Sequence, residues 1–161
     1  MTPELHRPMP ADRVGAAGLD VTVEATTAEC AALARRMHLP GVRRLHCTFR
    51  LTRLTADCVL AEGHLRAWVM QTCVISLEDF AAEIDERFRV RFVPAGQEAD
   101  DADPEADDEV GYTGGELDLG EAAAEQLALA LDPYPRAPGA ELPEIEPDAP
   151  EHPFAALRRR H

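Results

Sequence analysis

The stretch Val42-Arg-Arg-Leu-His-Cys-Thr-Phe-Arg-Leu-Thr-Arg-Leu54 decides the fold of this chain, because its apolar and polar side chains alternate from Leu45 onward. A β-strand points successive side chains to opposite faces, so the pattern predicts a half-buried strand. One face would carry Leu45, Cys47, Phe49 and Leu51. The other would carry Arg44, His46, Thr48, Arg50 and Thr52. Such a division is typical of an antiparallel sheet with one face on the core and one in solvent.

Similar patterns on both sides predict four further strands, at Leu19–Ala25, Ala56–Glu62, Leu65–Ile75 and Ile84–Val93. A turn is predicted at Glu62-Gly63-His64, between two of them. In the last strand Phe88, Val90 and Phe92 are predicted to face inward, with Arg87, Arg89 and Arg91 facing outward. Short links between successive strands favour an antiparallel meander.

Two helices are predicted from their start signals. Thr26-x-x-Glu29 fits a capping box for a helix that runs to His38, and Asp118-x-x-Glu121 starts a second helix that ends at Asp132-Pro133. The predicted fold class is therefore α+β, with an antiparallel sheet of about five strands and two main helices.

The predicted domain organisation is a single domain at residues 19–132 with flexible ends. Residues 1–18, with Pro3, Pro8 and Pro10, are predicted to be a flexible arm. Residues 95–110 are predicted to be a mobile acidic loop, because eight of the twelve residues from Glu98 to Glu109 are acidic. Residues 133–161 are predicted to be a proline-rich tail that carries a short C-terminal docking motif.

Composition limits the class of protein. A chain of 161 residues with 45% apolar content can form one core, but aromatic residues supply only 5%. The large core side chains are therefore predicted to be Phe49, Trp68, Phe80, Phe88 and Phe92. No apolar run approaches the roughly 20 residues that span a bilayer, so we expect a cytoplasmic protein without a membrane partner. Four scattered cysteines favour reduced thiols over disulfides.

Charge is distributed unevenly along the chain. The net charge is -14, yet the part up to Val93 is balanced by 12 arginines and 12 acids, and no lysine is present. We predict that RNA is contacted by an arginine surface made of Arg44, Arg50, Arg53, Arg87, Arg89 and Arg91, because guanidinium groups suit phosphates and bases. The alternative is a solvated face without a ligand. The acidic surplus predicts weak nonspecific RNA binding.

Three segments carry a resemblance to a known family. They are Trp68–Phe80, which contains Gln71-Thr72-Cys73; Leu117–Leu131 followed by Asp132-Pro133; and His152–Leu157. In this order they resemble the bacterial YceD family of large ribosomal RNA subunit accumulation proteins. The resemblance implies a non-catalytic role in the synthesis, processing or stability of large-subunit (23S) ribosomal RNA. The implied partner is that RNA or its precursor, with no small-molecule substrate and no cofactor.

The resemblance also raises metal binding and catalysis as alternatives. Many family members carry Cys-x-x-Cys where this chain has Met70-Gln71-Thr72-Cys73, and methionine is a poor zinc ligand, so no metal is predicted. A site built from Cys47, Cys58, Cys73 and His64 is the alternative. A thiol-dependent enzyme using Cys73 is a second alternative, but its sequence neighbours supply no base, so no catalytic residue is predicted.

Two segments are candidates for contact with a protein. Pro153-Phe154-Ala155 matches a sequence that family members tend to retain, and Phe154 and Leu157 would share one side of a helical turn. They are predicted to dock onto a partner, or alternatively onto the protein's own sheet. The acidic loop is predicted to attract a basic large-subunit ribosomal protein, for which the chain would act as an acidic chaperone, unless it is merely solubilising.

Overall fold

The computed structural model describes residues 3–98 and 105–142. Along the chain its elements are β1 (Pro8–Pro10), a 3₁₀ turn (Ala11–Arg13), β2 (Leu19–Glu24), α1 (Thr27–Arg36), β3 (Gly41–Arg53), β4 (Val59–Thr72), β5 (Asp79–Pro94), β6 (Asp108–Tyr112), β7 (Glu116–Asp118) and α2 (Leu119–Ala130). No helix within the described ranges is long and apolar enough to cross a membrane.

The main sheet has five strands in the order β2-β3-β4-β5-β6, and β1 pairs with β7 in a separate two-stranded sheet. The predicted α+β fold, with a sheet of five strands and two helices, is confirmed. The sheet was predicted to be antiparallel and is mostly so, but β6 runs parallel to β5, with Val90 opposite Asp108 and Pro94 opposite Tyr112. The fifth strand thus comes from the end of the predicted acidic loop.

The predicted turn at Glu62-Gly63-His64 is wrong, because β4 continues through it as one strand of 14 residues. Gly63 lies opposite Phe49 on one side and Phe88 on the other. The aromatic rings of Phe49 and Phe88 meet edge to face, with centroids 5.7 Å apart. The missing side chain of Gly63 therefore makes room for a ring from the neighbouring strand, and no reversal is needed.

Both predicted helix starts are confirmed. Thr26 Oγ1 accepts from the backbone N–H of Glu29 at 3.2 Å, and Glu29 Oε2 accepts from that of Thr26 at 2.7 Å, which completes a capping box. Asp118 Oδ1 accepts from the N–H of Glu121 at 3.2 Å at the start of α2. Both helices cover the same face of the sheet and bury small and aliphatic side chains against it, among them Cys30, Leu33, Ala123 and Leu127.

The N-terminal segment is not the predicted flexible arm, at least from residue 3 onward. Leu5 and Val14 are fully buried, and β1 pairs with β7. Arg7 donates two hydrogen bonds of 2.8 Å to the carboxylate of Glu29, which ties the segment to the start of α1. The apolar contacts of these two side chains and the pairing of β1 outweigh the effect of the prolines.

The acidic loop and the tail are only partly described. Residues 99–104 lie outside the described residues, as do residues 143–161 with Pro153, Phe154 and Leu157. The ends of the predicted loop are ordered: the N–H of Ala95 donates to the carbonyl of Tyr112 at 2.9 Å, and residues 108–110 belong to β6. The tail begins in contact with the turn after β4, because Pro135 O accepts from the N–H of Val74 at 2.9 Å.

The core lies between the helices and the inward face of the sheet. Leu45, Cys47, Phe49 and Leu51 of β3 are all buried there, as the alternation predicts. Phe92 is buried as well, and Phe80 and Phe88 are half-buried. Trp68 is the exception, because it stands on the opposite face of β4 from its buried neighbours Ala67 and Val69. Its predicted place in the core is therefore wrong.

Candidate functional site

The face of the main sheet turned away from the helices, called here the outer face, holds most of the residues that the sequence singles out. Strand register places its side chains in rows across the sheet. From β2 to β5, one row contains Asp20, Arg50, Glu62 and Arg89. A second row, two rows further along the strands, contains Glu24, His46, Arg66 and Asp85. Opposite charges directly across neighbouring strands attract each other, so these rows help to fix the register.

Trp68 stands between two guanidinium groups on the outer face. Arg44, its partner on β3, has its Cζ 5.4 Å from the ring centroid, and Arg66, two residues earlier on β4, has its Cζ 5.2 Å from it. Both distances fall within the range of cation–π attraction. The ring is half-buried, so this cluster of Trp68, Arg44 and Arg66 offers a flat aromatic group and two cations to solvent.

The outer-face arginines Arg44 and Arg50 of β3 and Arg66 of β4 are each paired with an acid. Arg50 lies 3.1 Å from Asp20, Arg44 lies 3.6 Å from Glu24, and Arg66 lies 2.7 Å from Glu83. The side chains involved are largely exposed, so each pair is weak and can be exchanged for another anion.

The arginines of β5, Arg87, Arg89 and Arg91, project from the outer face as predicted. The end of the acidic loop supplies partners for two of them: Arg89 lies 3.5 Å from Asp107, and Arg91 lies 3.2 Å from Glu109. A hydrogen bond of 2.6 Å between His64 and Asp85 is the main cause that lowers the pKa of Asp85, and the charge of the exposed Arg87 contributes. A depression of about 400 Å³ opens between Arg50, His64 and Arg87.

Arg53 does not belong to this surface. It follows Leu51 at a spacing of two, so its side chain leaves β3 on the core side, where it donates to the carbonyls of Val14 at 2.8 Å and Ala56 at 2.6 Å. It also donates to the carbonyl of Ala11. Arg53 therefore holds the N-terminal segment in place, and its predicted role in the RNA-facing group is corrected.

Arg66 and Trp68 belong to the outer face as well, although neither was predicted there. The signal was available, because Leu65, Ala67 and Val69 are buried and alternate with them along β4. Trp68 shares the parity of Arg66 and alternates with the buried residues Ala67 and Val69, which places its ring on the outer face of β4.

The segment with Gln71-Thr72-Cys73 ends β4 and forms a tight turn. Gln71 is buried, and Thr72 Oγ1 donates to Asp79 Oδ1 at 2.8 Å. The backbone of Cys73 closes the turn through hydrogen bonds of 2.9 Å with Leu77 and Glu78. This turn contacts the first residues of the tail, because the N–H of Val74 donates to the carbonyl of Pro135.

The Cys73 thiol is fully buried but lies among hydrogen-bond donors. The backbone N–H of Ala137, the hydroxyl of Ser76 and the N–H of Ser76 lower the pKa of Cys73 to about 6. The sequence neighbours Gln71 and Thr72 do not appear among these causes. The decisive donor belongs to the tail, far along the chain, which local sequence could not show.

The four residues of the alternative metal site do not converge. Cys47 points into the core, whereas His64 points from the outer face toward Asp85. Within residues 3–98 and 105–142 no group of three or more His, Cys, Asp or Glu side chains is placed to hold a metal ion.

Comparison with known protein families gives a match to YceD-type proteins over residues 61–158, which is more than half of the chain. The matching family is described as "Large ribosomal RNA subunit accumulation protein YceD". The matched region contains β4, β5, the turn at Cys73, α2 and the tail. No curated protein and no solved structure matches the chain.

Proposed function

Because this chain belongs to the YceD family of large ribosomal RNA subunit accumulation proteins, we propose that it supports that RNA by binding and not by catalysis, with the outer face of the sheet as its RNA contact. The family name implies a role in the accumulation of large-subunit ribosomal RNA. The proposal adds the surface and the mode of action.

The observation that carries the proposal is the position of Trp68 between Arg44 and Arg66, on the same face as the arginines of β5. Proteins that bind single-stranded RNA stack bases on exposed aromatic rings and guanidinium planes, and they hold the backbone with cations. Alternate residues of a strand lie roughly 7 Å apart, which is close to the distance between successive phosphates. The outer face supplies both components on one rigid sheet.

The ion pairs of the outer face set the conditions under which RNA would bind. An exposed ion pair contributes about 0–1 kcal/mol, so a phosphate can replace a carboxylate at modest cost. The net charge of -14 opposes the approach of a polyanion as a whole. Binding is therefore expected to be local, sensitive to salt and restricted to RNA that presents unpaired bases.

The test replaces Arg87, Arg89 and Arg91 together with Glu and measures cosedimentation with precursor large subunits. Loss of association is expected. The matched control carries the same charge change at the exposed arginines Arg13, Arg35 and Arg136, and it should retain binding. If the two triple variants cosediment with precursor large subunits to the same extent, the outer face is not the RNA contact.

A second function, as an acidic chaperone for a basic large-subunit ribosomal protein, is favoured by a different observation. Asp107 forms an ion pair with Arg89, and Glu109 forms one with Arg91. Part of the proposed RNA surface is therefore covered by the chain's own acids. A net charge of -14 attracts basic proteins. This function predicts a stable complex with one such protein in the absence of RNA, detectable by size-exclusion chromatography at low salt.

A further inference from the structure

One side of β5 carries an incomplete strand pairing. β6 pairs only with Val90–Pro94, so in the described part of the chain no strand lies beside Asp79–Arg89 on that side. Ala106 and Asp107 line a depression next to Arg87–Arg89 and partly cover that portion. The remaining residues, Asp79–Glu86, are called here the open edge.

An uncovered strand offers unpaired backbone groups. In a strand of eight residues, about four N–H and four C=O groups point to the uncovered side. Such an edge can accept an additional strand from another polypeptide, with main-chain hydrogen bonds supplying affinity. On the core side of the open edge, the half-buried side chains of Phe80, Ala82 and Ile84 leave apolar surface that an added strand would cover.

The charge of the open edge selects its occupant. The nine residues from Glu78 to Glu86 include five acids and no base. The acids stand on both faces, since Asp79, Glu83 and Asp85 share the outer face while Glu86 is on the core side. Two such edges repel each other, which disfavours pairing with a second copy, and RNA is repelled in the same way.

The chain's own C-terminal segment does not have the pattern of a strand for this edge. It is basic at Arg158–Arg160, but Phe154 and Leu157 are spaced for a helical turn, and four prolines between Pro143 and Pro153 lack the N–H that a ladder requires. A strand from another protein, in which cationic and apolar side chains alternate, would pair the free backbone groups of the edge. It would also cover the apolar side chains on the core side and complement the negative charge.

We propose that the open edge of β5 binds an extended, basic segment of a partner protein by β-strand addition. This inference rests on the second proposed function and gives it a surface and a binding mode. The partner strand places apolar side chains beside Phe80 and Ile84 and cationic side chains on the outer face. There they compete with the exposed, weak pairs that Glu83 makes with Arg66 at 2.7 Å and Asp85 makes with His64 at 2.6 Å. The short turn at Cys73 marks one limit of the site, and β6 marks the other.

The test uses full-length protein and a peptide of about eight residues in which valine alternates with lysine, a length typical of a strand. Backbone amide shifts locate the binding. Amides of Asp79–Glu86 should shift, and those of β2, the other edge strand, should not. A peptide with glutamate in place of lysine should not bind.

Charge reversal tests the selection. Glu78→Lys with Glu86→Lys should weaken binding of the lysine peptide about tenfold and strengthen that of the glutamate peptide. The matched control carries Asp12→Lys and Glu116→Lys, both exposed and located in or next to the separate sheet of β1 and β7, and should bind as wild type. Equal weakening in both variants would overturn the proposal.

Three further results would also overturn it. The first is amide shifts centred on β2 or on the outer face. The second is an RNA oligonucleotide that shifts the same β5 amides. The third is a peptide that binds only to the variant carrying Arg158→Glu, Arg159→Glu and Arg160→Glu. That result would show that the edge of the wild-type protein holds the chain's own C-terminus. The triple Glu variant of Arg87, Arg89 and Arg91 should keep peptide binding, so failure of the RNA surface and failure of the open edge are separate outcomes. If the second proposed function fails, no complex with a basic ribosomal protein forms even with the wild-type protein. If only the open edge fails, that complex forms and the variant with Glu78→Lys and Glu86→Lys keeps it.

Discussion

The ring of Phe88 lies directly over Gly63, so closely that a Cβ added to Gly63 would stand 2.1 Å from Phe88 Cζ. The two residues are cross-strand partners in β5 and β4. A ring over a glycine in a neighbouring strand compensates for the missing side chain and helps to fix the register. It also keeps β4 continuous at a position where its sequence favours a turn.

Gly63→Ala is therefore expected to destabilise the protein, although alanine is normally preferred to glycine in a strand. The methyl group would force the Phe88 ring out of its place, at a cost of about 1–3 kcal/mol in the free energy of unfolding. Urea denaturation measures the loss. The control, Gly15→Ala, adds a methyl group with nothing within 4 Å and should change stability little.

Phe88→Leu in the Gly63→Ala background gives an independent check. If the contact with the ring is the cause, the double variant loses less than the sum of the two single losses, because residues in contact are coupled. Simple additivity would show that Gly63 matters for another reason.

Arg53 gives a prediction about the N-terminal segment. Arg53→Met leaves the carbonyls of Ala11, Val14 and Ala56 without their guanidinium donor. Loss of a donor to partly buried carbonyls costs about 1–3 kcal/mol, and hydrogen exchange should accelerate in residues 5–14 before it does in β3. Arg89→Met, which removes an exposed arginine of the outer face, should leave exchange in that segment unchanged. The assignment fails if both variants loosen it equally.

The strands and helix starts could be predicted from sequence because local patterns determine them. Alternation in β3 and β5 and the acids after Thr26 and Asp118 identify these elements without knowledge of their partners. The same alternation places Arg53 on the core side and Trp68 on the outer face. Residue type alone favours an outward arginine and an inward tryptophan, and at these two positions the alternation of the strand overrides residue type.

The remaining errors concern contacts between segments far apart in the chain. Nothing near Gly63 reveals that Phe88 will cover it, and nothing near Leu5 reveals the groups that bury it. β6 contains only five residues, and its pairing depends on the position of β5. In the site, the neutralisation of Arg89 and Arg91 by Asp107 and Glu109 likewise depends on a strand that sequence did not predict.

Glu29 makes stability depend on pH. Its carboxylate accepts two hydrogen bonds from Arg7, and these, with the N–H of Thr26, lower the pKa of Glu29 from 4.5 to about 2. A lowered carboxyl pKa in the folded state means that the stabilisation is complete above pH 4.5 and is lost as the pH falls toward 2. Glu29→Gln should therefore cost about 1–3 kcal/mol at neutral pH, through the loss of charge-assisted hydrogen bonds.

The measurement compares the unfolding free energies of wild type and Glu29→Gln from neutral to acid pH. The difference in unfolding free energy between the two proteins should decrease only below pH 4.5. The pKa of Asp118, which accepts from the N–H of Arg7 at 2.9 Å, is also lowered, so Asp118 adds a pH dependence to both proteins, and the part due to Glu29 is the difference between them. A gap that stays constant to pH 3 would contradict the assignment, because it would show that the loss has no electrostatic part.

Cys73 should be the one thiol ionised at neutral pH among the four cysteines. Hydrogen bonds from Ala137 and Ser76 lower the pKa of Cys73 to about 6, whereas burial raises the pKa of Cys47 to about 12 and also raises those of Cys30 and Cys58. An ultraviolet titration of the native protein should therefore show one thiolate forming near pH 6. Cys73→Ser should abolish it, and Cys58→Ser should not.

Ala137→Pro tests whether the backbone N–H of Ala137 causes the low pKa of Cys73, without changing Cys73 itself. Proline removes the N–H that lowers the pKa of Cys73 most, and Pro138 already follows, so an extended backbone is retained. The thiolate transition should move upward from about pH 6 toward the ordinary value of 9.0 while the fold persists. An unchanged transition would mean that the turn alone, without the tail, controls this thiol. A shift would show that the end of β4 and the segment after α2 act as one unit, which local sequence around Cys73 cannot reveal.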